Sequence, residues 1–251
     1  MELSQLINTF DPISLEQMSG VKLMNRTDTK FVTNLDKLHQ LLKLAQQDYF
    51  IQEIDGERNL EYDTTYFDTR AFDMYNQHQW GHTNRQKIRF RTYCISGLQF
   101  MEVKTKNNHG RTKKKRIEVT DMDLADSAKR EFLSQTLRFN VDELLPHMHN
   151  YFHRITLVNR QKTERLTIDT ELQFHNMLTD HDRDMGPIVI IELKRDGQVF
   201  SPVLSMLREL HIKPHGFSKY CMGAAMTNES LPVNLFKQKL RDIEKIEKMN
   251  H

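Results

Sequence analysis

The stretch 87–93, KIRFRTY, alternates charged and apolar side chains and decides the fold of this chain. Successive residues of a β-strand point to opposite faces of a sheet. A strand over this stretch carries Lys87, Arg89 and Arg91 on one face, and Ile88 and Phe90 on the other. The alternation therefore predicts a sheet with one apolar face and one cationic face.

The same alternation recurs in 100–104 (FMEVK), 114–119 (KKRIEV), 165–169 (RLTID) and 188–194 (IVIIELK). Such a charged face either meets water, as in most antiparallel sheets, or lines a polar interior. The charged side of these four segments holds Glu102, Lys104, Lys114, Arg116, Glu118, Arg165, Asp169, Glu192 and Lys194.

A converging face of this composition would need an anion. Two like charges about 7 Å apart repel by roughly 2 kcal/mol at an effective dielectric constant near 20. Arginine forks and lysine ammonium groups both suit the oxygens of a phosphate chain. The interspersed carboxylates Glu102, Glu118, Asp169 and Glu192 are oxygen ligands of the kind that a divalent cation bridging those phosphates prefers.

Composition indicates a globular protein and gives little information about its partners. The 251 residues contain 36 Lys and Arg against 34 Asp and Glu, so the net charge identifies no partner. Two cysteines cannot form a disulfide framework, and no signal peptide or apolar stretch of about 18 residues occurs. We expect a single domain over 1–251 and a cytoplasmic location without a transmembrane segment, and a membrane-protein partner stays open.

Helical spacing of leucines predicts a helix over 34–48, and further helices are expected at about 123–138 and 202–211. An amphipathic helix is expected at about 232–249. Strand-like runs occupy about 60–119, 153–159, 165–169, 172–177 and 188–194. We predict an α+β fold: a closed antiparallel barrel of about eight strands that forms a charged tunnel, with helices packed outside.

Other site classes find little support. His78 with His82, and His147 with His149, lack matched carboxylates or cysteines, so surface positions are expected for most of them. The run 113–116 lies inside an alternating strand without a platform of stacked aromatic rings, which argues against nucleic acid as a partner. No phosphate-binding loop of the G-x-x-x-x-G-K-[ST] type occurs.

In order, the motifs resemble the triphosphate tunnel superfamily and, within it, the polyphosphate polymerase domain of the vacuolar transporter chaperone (VTC) complex. The matching runs are RTDTKF (26–31), YFDT (66–69), KIRFRTY (87–93), MEVKTK (101–106), KKKR (113–116), Arg154, RLTID (165–169), IELK (191–194) and SKY (218–220).

The resemblance implies a barrel that binds ATP or another nucleoside triphosphate together with Mn²⁺ or Mg²⁺, and that elongates polyphosphate from inorganic phosphate or a chain end. Glu192 matches the metal-binding glutamate of the family, and Glu102 is a second candidate ligand. A catalytic role is expected for Lys30, Arg89, Arg91 and Glu192. Positions that hold phosphates in the family match Lys30, Arg89, Arg91, Lys104, Lys114, Arg154, Arg165 and Lys219. The alternation of side chains along the strands adds Arg26, Arg116 and Lys194 as further phosphate-binding candidates on the same face.

One departure bears on the reaction. Hydrolytic members of the superfamily begin with E-x-E-x-K, whereas this chain has Arg26, Asp28 and Lys30 at those places. An arginine in place of the first acid removes a carboxylate that could bind a metal or orient water, and it favours transfer of a phosphoryl group over hydrolysis. A metal-dependent triphosphatase and a non-catalytic polyphosphate sensor stay open as alternatives.

Overall fold

The chain folds around a mostly antiparallel sheet with most of its helices outside it, which confirms the expected α+β class. The computed structural model describes residues 2–18, 26–197 and 199–249. The strands are β1 (Pro12–Ile13), β2 (Arg26–Asn34), β3 (Tyr49–Gln52), β4 (Leu60–Thr69), β5 (Arg85–Tyr93), β6 (Leu98–Lys106), β7 (Thr112–Val119), β8 (Leu144–Asn159), β9 (Glu164–Asn176), β10 (His181–Asp184) and β11 (Ile188–Asp196). The helices are α1 (Leu3–Ile7), α2 (Leu15–Met18), α3 (Leu35–Ala45), α4 (Asp73–Gln79), α5 (Ser127–Thr136), α6 (Pro202–Glu209), α7 (Lys219–Thr227) and α8 (Lys237–Lys248), with a 3₁₀ turn at Val141–Glu143.

Eight strands follow one another in the order β2-β11-β9-β8-β4-β5-β6-β7, and the three short strands attach beside this path. The main path has the eight strands expected, within a sheet of eleven among the described residues, but the expected closed barrel is not confirmed. Among the residues that the structure describes, no ladder of hydrogen bonds joins β2 to β7. The alternation in the sequence fixes which face of each strand is buried, and it carries no information on whether the end strands meet.

The sheet is nevertheless strongly curved. Lys30 on β2 donates a hydrogen bond from Nζ to the carbonyl oxygen of Phe217, at 2.9 Å. Lys87 on β5 donates from Nζ to Oγ of the next residue, Ser218, at 2.6 Å. Since β2 and β5 are five places apart in the strand order, their inner faces meet at one short segment of chain. The charged face is therefore the concave one.

The convex face carries the apolar half of the alternating pattern. Helices α1, α3 and α6 pack on β2, β9 and β11, and α5 packs on the β5–β6 hairpin. Asn34 begins α3 as predicted, because its Oδ1 accepts a hydrogen bond from the backbone N–H of Lys37. The buried strand residues on this face include Ile88, Phe90, Met101, Val103, Leu166, Ile168, Ile191 and Leu193.

Helices α7 and α8 fill one half of the concave face. Phe174 of β9 and Tyr220 of α7 belong to this second core, together with Phe236 and Ile243 at α8. Gly223 lets α7 approach closely, since a Cβ there would lie 2.6 Å from a ring carbon of Phe174. The sequence predicted α8 at 232–249, where the helix spans Lys237–Lys248, and it missed α7.

No helix in the described parts of the chain combines the length and the apolar composition needed to cross a membrane. The predicted helices at 34–48, 123–138 and 202–211 correspond to α3, α5 and α6. The run at 153–159 is the second half of β8, which begins at residue 144. The runs at 165–169 and 172–177 form one strand, β9, with Glu171 at a φ of 51° between them.

Candidate phosphate-binding site

The charged half of the concave face is built from opposed residues on neighbouring strands. Lys87 of β5 lies opposite Lys104 of β6, and Arg89 lies opposite Glu102. On the other side of β6, Lys104 lies opposite Lys114 of β7. Residues directly opposite each other project to the same face of a sheet. These side chains therefore lie on one face, as the alternating pattern in the sequence predicted.

Glu102 is the centre of the first ion-pair network. Its side chain is 1% exposed, and one oxygen, Oε2, accepts from Nε and Nη2 of Arg89 at 2.7 and 2.6 Å. The other oxygen accepts from Nζ of Lys114 at 2.8 Å. Burial alone would raise the pKa of Glu102, but the charges of Arg89 and Arg91 and the bond from Lys114 lower it to about 2. Glu102 is therefore ionised, and both of its carboxylate oxygens accept hydrogen bonds from cations.

Asp169 is the centre of the second network. Arg154 binds it with a two-pronged contact, Nε to Oδ1 at 2.6 Å and Nη2 to Oδ2 at 2.9 Å. The ammonium group of Lys219, the first residue of α7, donates to Oδ2. Burial raises the pKa of Asp169, and the charges of Arg154 and Lys219 outweigh it and hold the pKa well below its usual range. This network ties α7 to the middle of the sheet.

Glu192 forms the third network with fewer partners. Its carboxylate accepts from the ammonium group of Lys194, and Lys30 lies opposite it on β2. Burial opposes ionisation, but Lys194 and Lys30 lower the pKa of Glu192 well below its usual range. With 18% of its side chain exposed, Glu192 is more accessible than Glu102.

Several cations on this face have only neutral hydrogen-bond partners among the described residues. The partners of Lys30 and Lys87 are the oxygens of Phe217 and Ser218 noted above. Arg91 is 5% exposed and donates from Nε to Oγ1 of Thr64 at 3.1 Å. Burial and the charges of Arg89 and Arg154 lower the pKa of Arg91 to about 10. The face therefore holds more positive charge than its carboxylates offset.

Long-range electrostatic effects show how close the distant strands come. Burial, as the main cause, and the charges of Lys30 on β2 and Arg89 together lower the pKa of Lys104 on β6 to about 8, while Glu192 on β11 opposes them. Lys104 is nevertheless exposed to solvent. Such coupling falls off with distance, so β2 and β11 lie across the concavity from β6.

An aromatic wall, formed by Tyr62 and Phe152, backs the arginines. The two rings stack with their centroids 5.3 Å apart. The guanidinium groups of Arg91 and Arg154 lie 5.4 and 5.0 Å from the centroid of Tyr62. Nζ of Lys219 lies 4.0 Å from the centroid of Phe152. Rings that face cations in this way stabilise them without adding negative charge.

The remaining predicted residues lie at the edges of the site. Arg116 on the edge strand β7 is exposed, and its guanidinium carbon lies 4.3 Å from the ring centroid of Phe100. Arg165 on β9 lies opposite Lys194. The side chain of Arg26 lies outside the described residues, and only its backbone pairing with Asp196 is defined.

The histidines differ from the expectation of surface positions. His147 is 2% exposed, and neither of its ring nitrogens has a hydrogen-bond partner in the described parts of the chain. His78 in α4 is half-buried, with Nδ1 3.1 Å from Sγ of Cys221. His149 instead is partly exposed and contacts Asp63 at 3.0 Å. The expected surface position is wrong for His147 and His78, because an isolated histidine belongs to no periodic pattern that indicates burial.

The donor set suits a cation that keeps most of its ligands from substrate and water. No group of three or more His, Cys, Asp and Glu side chains in the described residues could hold a metal ion. Mg²⁺ commonly binds one or two carboxylates together with phosphates and waters. Glu192 fits that role better than Glu102, because Glu102 is already bound by two cations.

The fold and the motifs agree with known proteins. The chain aligns with a structure of a candidate adenylate cyclase from Bacillus halodurans at 14% identity and a TM-score of 0.51, covering 78% of this chain and 96% of that chain. A candidate adenylyl cyclase from Hippeastrum, described as having a dominant triphosphatase activity, aligns at 14% identity and a TM-score of 0.52, covering 84% and 99%. These likenesses show a shared fold.

The sequence has no significant match among curated proteins. A sequence model of the VTC domain family matches residues 25–228, which include all eight strands of the main path and helix α7. This match covers most of the chain and contains the three ion-pair networks. The chain belongs to the VTC domain family.

Proposed function

We propose that the charged concave face binds the phosphates of ATP and transfers the terminal phosphoryl group to inorganic phosphate or to the end of a polyphosphate chain. The observation that carries this proposal is the excess of cations over carboxylates on the concave face. Lys30, Lys87, Arg91 and Lys104 face one concavity and make no ion pair within the described residues. A polyvalent anion offsets their mutual repulsion.

Membership of the VTC domain family supports the same substrate class. In the proposed reaction an oxygen of the acceptor phosphate forms a bond to the γ-phosphorus. The bond between that phosphorus and the β–γ bridging oxygen breaks, and its electron pair leaves with ADP. Because no protein nucleophile is needed, catalysis depends on positioning and on charge stabilisation.

Each network has a part in that scheme. Arg89 and Arg91, on one face of β5, hold phosphate oxygens with planar forks. Lys30 on β2 approaches the phosphates from across the concavity. Asp169 holds Arg154 and Lys219 in place, so that α7 presents its first residue to the site.

Glu192 is the residue that would hold a divalent cation, displacing Lys194 from its carboxylate. When bound, Mn²⁺ or Mg²⁺ offsets the charge on phosphate oxygens. We propose that Glu102 fixes the orientation of Arg89 and Lys114, since its two oxygens already accept three hydrogen bonds. These assignments account for every carboxylate among the three networks.

Hydrolysis on the same site is the second candidate. The description of the Hippeastrum protein as a triphosphatase favours it, because that structure shares the fold. The two reactions differ in the acceptor, which is water in one and a phosphate oxygen in the other. A closed tunnel, formed as the edges β2 and β7 approach each other around a bound chain, would exclude water and favour transfer.

Turnover of ATP separates the two candidates. Purified protein is incubated with ATP and Mn²⁺, and long-chain polyphosphate is resolved from free phosphate. We expect long chains together with ADP. Free phosphate without chains would replace the transfer reaction by hydrolysis, and binding of ATP without turnover would leave only a sensor.

Glu192→Gln tests the metal assignment. We expect turnover to fall by about a hundredfold or more, while metal-free binding of tripolyphosphate is kept because a negative charge is removed. Glu209→Gln is the matched control, because Glu209 is exposed at the end of α6. Full activity of Glu192→Gln would remove Glu192 from the site.

A further inference from the structure

Two histidines lie directly opposite each other on the convex face of the sheet, away from the phosphate-binding site. His149 of β8 pairs with His175 of β9 and, on its other side, with Thr65 of β4. Thr65 in turn lies opposite Phe90, whose ring is buried on the convex face. Residues directly opposite each other in a sheet have Cβ atoms about 4.5–5.5 Å apart. The two imidazole rings are therefore close enough to bind one metal ion between them.

A carboxylate contacts each histidine on the side away from the other histidine. Nε2 of His149 lies 3.0 Å from Oδ2 of Asp63 on β4. Nδ1 of His175 lies 2.9 Å from Oδ1 of Asp182 on β10. The strands follow one another here in the order β4, β8, β9, β10. The two carboxylates therefore flank the histidine pair from outside.

The remaining nitrogen of each ring is directed to the space between β8 and β9. The two nitrogens of an imidazole point to opposite sides of the ring, and the partner of one decides which of them can bind a metal. Because the carboxylates lie outside the pair, Nδ1 of His149 is directed towards β9 and Nε2 of His175 towards β8. Neither nitrogen makes a hydrogen bond within the described residues, since the 3.9 Å from Nε2 of His175 to Asp180 is too long for one. Histidines at metal sites commonly bind the metal through one nitrogen and a carboxylate through the other.

Two exposed methionines border the histidine pair. Met122 and Met177 line one pocket of the convex face together with both histidines, and they are 39% and 41% exposed. The N–H of Met177 continues the β8–β9 ladder by donating to the carbonyl oxygen of His147, at 3.0 Å. Met177 therefore lies two positions beyond His175 along the same extended chain, and both line this pocket.

The segment that carries Met122 is fixed to helix α5. Oδ1 of Asp121 accepts hydrogen bonds from Nζ of Lys129, at 2.5 Å, and from the backbone N–H of Asp123, at 2.8 Å. Lys129 is buried in the first turn of α5. The chain on both sides of Met122 is thereby anchored, which holds its thioether at the pocket.

The types of donor decide which metal suits this pocket. Thioether sulfur is a soft ligand that selects Cu⁺, and imidazole suits copper as well as zinc. No group of three or more His, Cys, Asp and Glu side chains could hold a metal in the part of the chain that the structure describes. The two thioethers therefore complete a ligand set that the histidines begin.

We propose that Nδ1 of His149, Nε2 of His175 and the sulfur atoms of Met122 and Met177 bind a Cu⁺ ion on the convex face. Asp63 and the carboxylate on β10 orient the two rings from outside. The site is independent of the proposed function, because the phosphate-binding residues project from the opposite face of the sheet.

Competition with a chromogenic Cu⁺ chelator tests the site in the full chain, under reducing and oxygen-free conditions. Every protein carries Cys94→Ser, because the thiol of this partly exposed cysteine also binds Cu⁺. We expect a single Cu⁺ ion per chain, and a loss of affinity of about tenfold or more in His149→Gln and in His175→Gln. Met177→Leu conserves volume and should weaken binding of Cu⁺ by about tenfold while leaving binding of Zn²⁺ within about twofold.

His181→Gln and Met249→Leu are the matched controls. His181 is exposed next to Asp182 on β10, so its side chain projects from the other face of that strand. Met249 is exposed beyond the end of α8. Both controls should bind Cu⁺ within about twofold of the parent. Affinities of the two histidine variants on β8 and β9 that match those of the controls would overturn the inference.

Imidazole ¹H–¹⁵N spectra of the parent protein test the ligands without a variant at the site. We expect added Cu⁺ to shift the resonances of Nδ1 of His149 and Nε2 of His175, while the nitrogens that contact carboxylates keep their protons. Unshifted resonances of these two nitrogens would overturn the site. Tighter binding of Zn²⁺ than of Cu⁺ would overturn the choice of metal, and absence of Cu⁺ binding once Cys94 is replaced would assign the metal to that thiol.

Discussion

Replacing Glu102 by glutamine should destabilise the free protein and tighten its hold on phosphate chains. Removing one partner of a fully buried ion pair costs about 3–5 kcal/mol. Arg89 and Lys114 are 23% and 43% exposed, so solvent screens part of that loss, and we expect about 2 kcal/mol. For a chain of this size the melting temperature should fall by about 4–8 °C.

The same change should favour the ligand. A carboxylate about 10 Å from an anionic charge repels it by roughly 1–2 kcal/mol at an effective dielectric constant near 20. Glu102→Gln should therefore bind tripolyphosphate about tenfold more tightly than the wild type. A saturating ligand should also raise the melting temperature of the variant more than that of the wild type.

The assay is thermal denaturation and calorimetric titration in the presence of a chelator, so that any metal-binding role of Glu102 does not contribute. Glu229→Gln is the control, because Glu229 is exposed and removing its charge should change neither the melting temperature nor the affinity for tripolyphosphate. Weaker binding of tripolyphosphate by Glu102→Gln, together with lower stability, would refute the reasoning. It would mean that losing the fixed orientation of Arg89 and Lys114 costs more affinity than removing the negative charge of Glu102 restores.

Three further predictions address the lysines, the packing of α7 and a buried histidine. Burial is the main reason why the pKa values of Lys104 and Lys219 are lowered to about 8. A bound anion raises these pKa values, so the affinity for tripolyphosphate should fall as the pH rises through 8. Calorimetry in buffers of different ionisation enthalpy should show that the protein takes up protons when it binds. Gly223→Ala places a methyl group against Phe174 and should cost about 1–3 kcal/mol in unfolding free energy and weaken tripolyphosphate binding, as denaturant titration and calorimetry would show. Burial lowers the pKa of His147 to about 4, so on acidification the unfolded chain binds a proton at a higher pH than the folded chain does. The free energy of unfolding should therefore fall by up to about 3 kcal/mol from pH 6.5 to pH 4. In His147→Leu, the free energy of unfolding should depend less on pH in this range.

Each of these expectations has a contrary outcome. Affinity that is constant from pH 7 to pH 9 would show that the lysines are fully protonated in the free protein. A Gly223→Ala variant with wild-type stability would mean that α7 is less tightly packed than the structure shows. An unchanged slope between pH 6.5 and pH 5 in His147→Leu would assign the acid sensitivity to other groups.

Strand parity explains why much of the site could be predicted from the sequence. Arg89, Glu102 and Lys114 occupy alternate positions in short strands, so their common face follows from the period of two. The partner of Asp169 on α7 had no such signal, since Lys219 lies 50 residues away in a helix that the sequence analysis missed. Whether the barrel closes could not be predicted from the sequence either, because closure depends on the stagger of the strands and the curvature of the sheet rather than on the alternation of side chains.

The most direct test of the account compares two neighbouring lysines on β7. Nζ of Lys114 lies 2.8 Å from Glu102 on the concave face, whereas Lys115 is exposed on the opposite face. Lys114→Gln and Lys115→Gln remove the same charge, so any difference in their metal-free affinity for tripolyphosphate reports on the face. We predict about a tenfold loss or more for Lys114→Gln and a change within about twofold for Lys115→Gln. Equal effects of the two substitutions would contradict binding of the phosphate chain on the concave face.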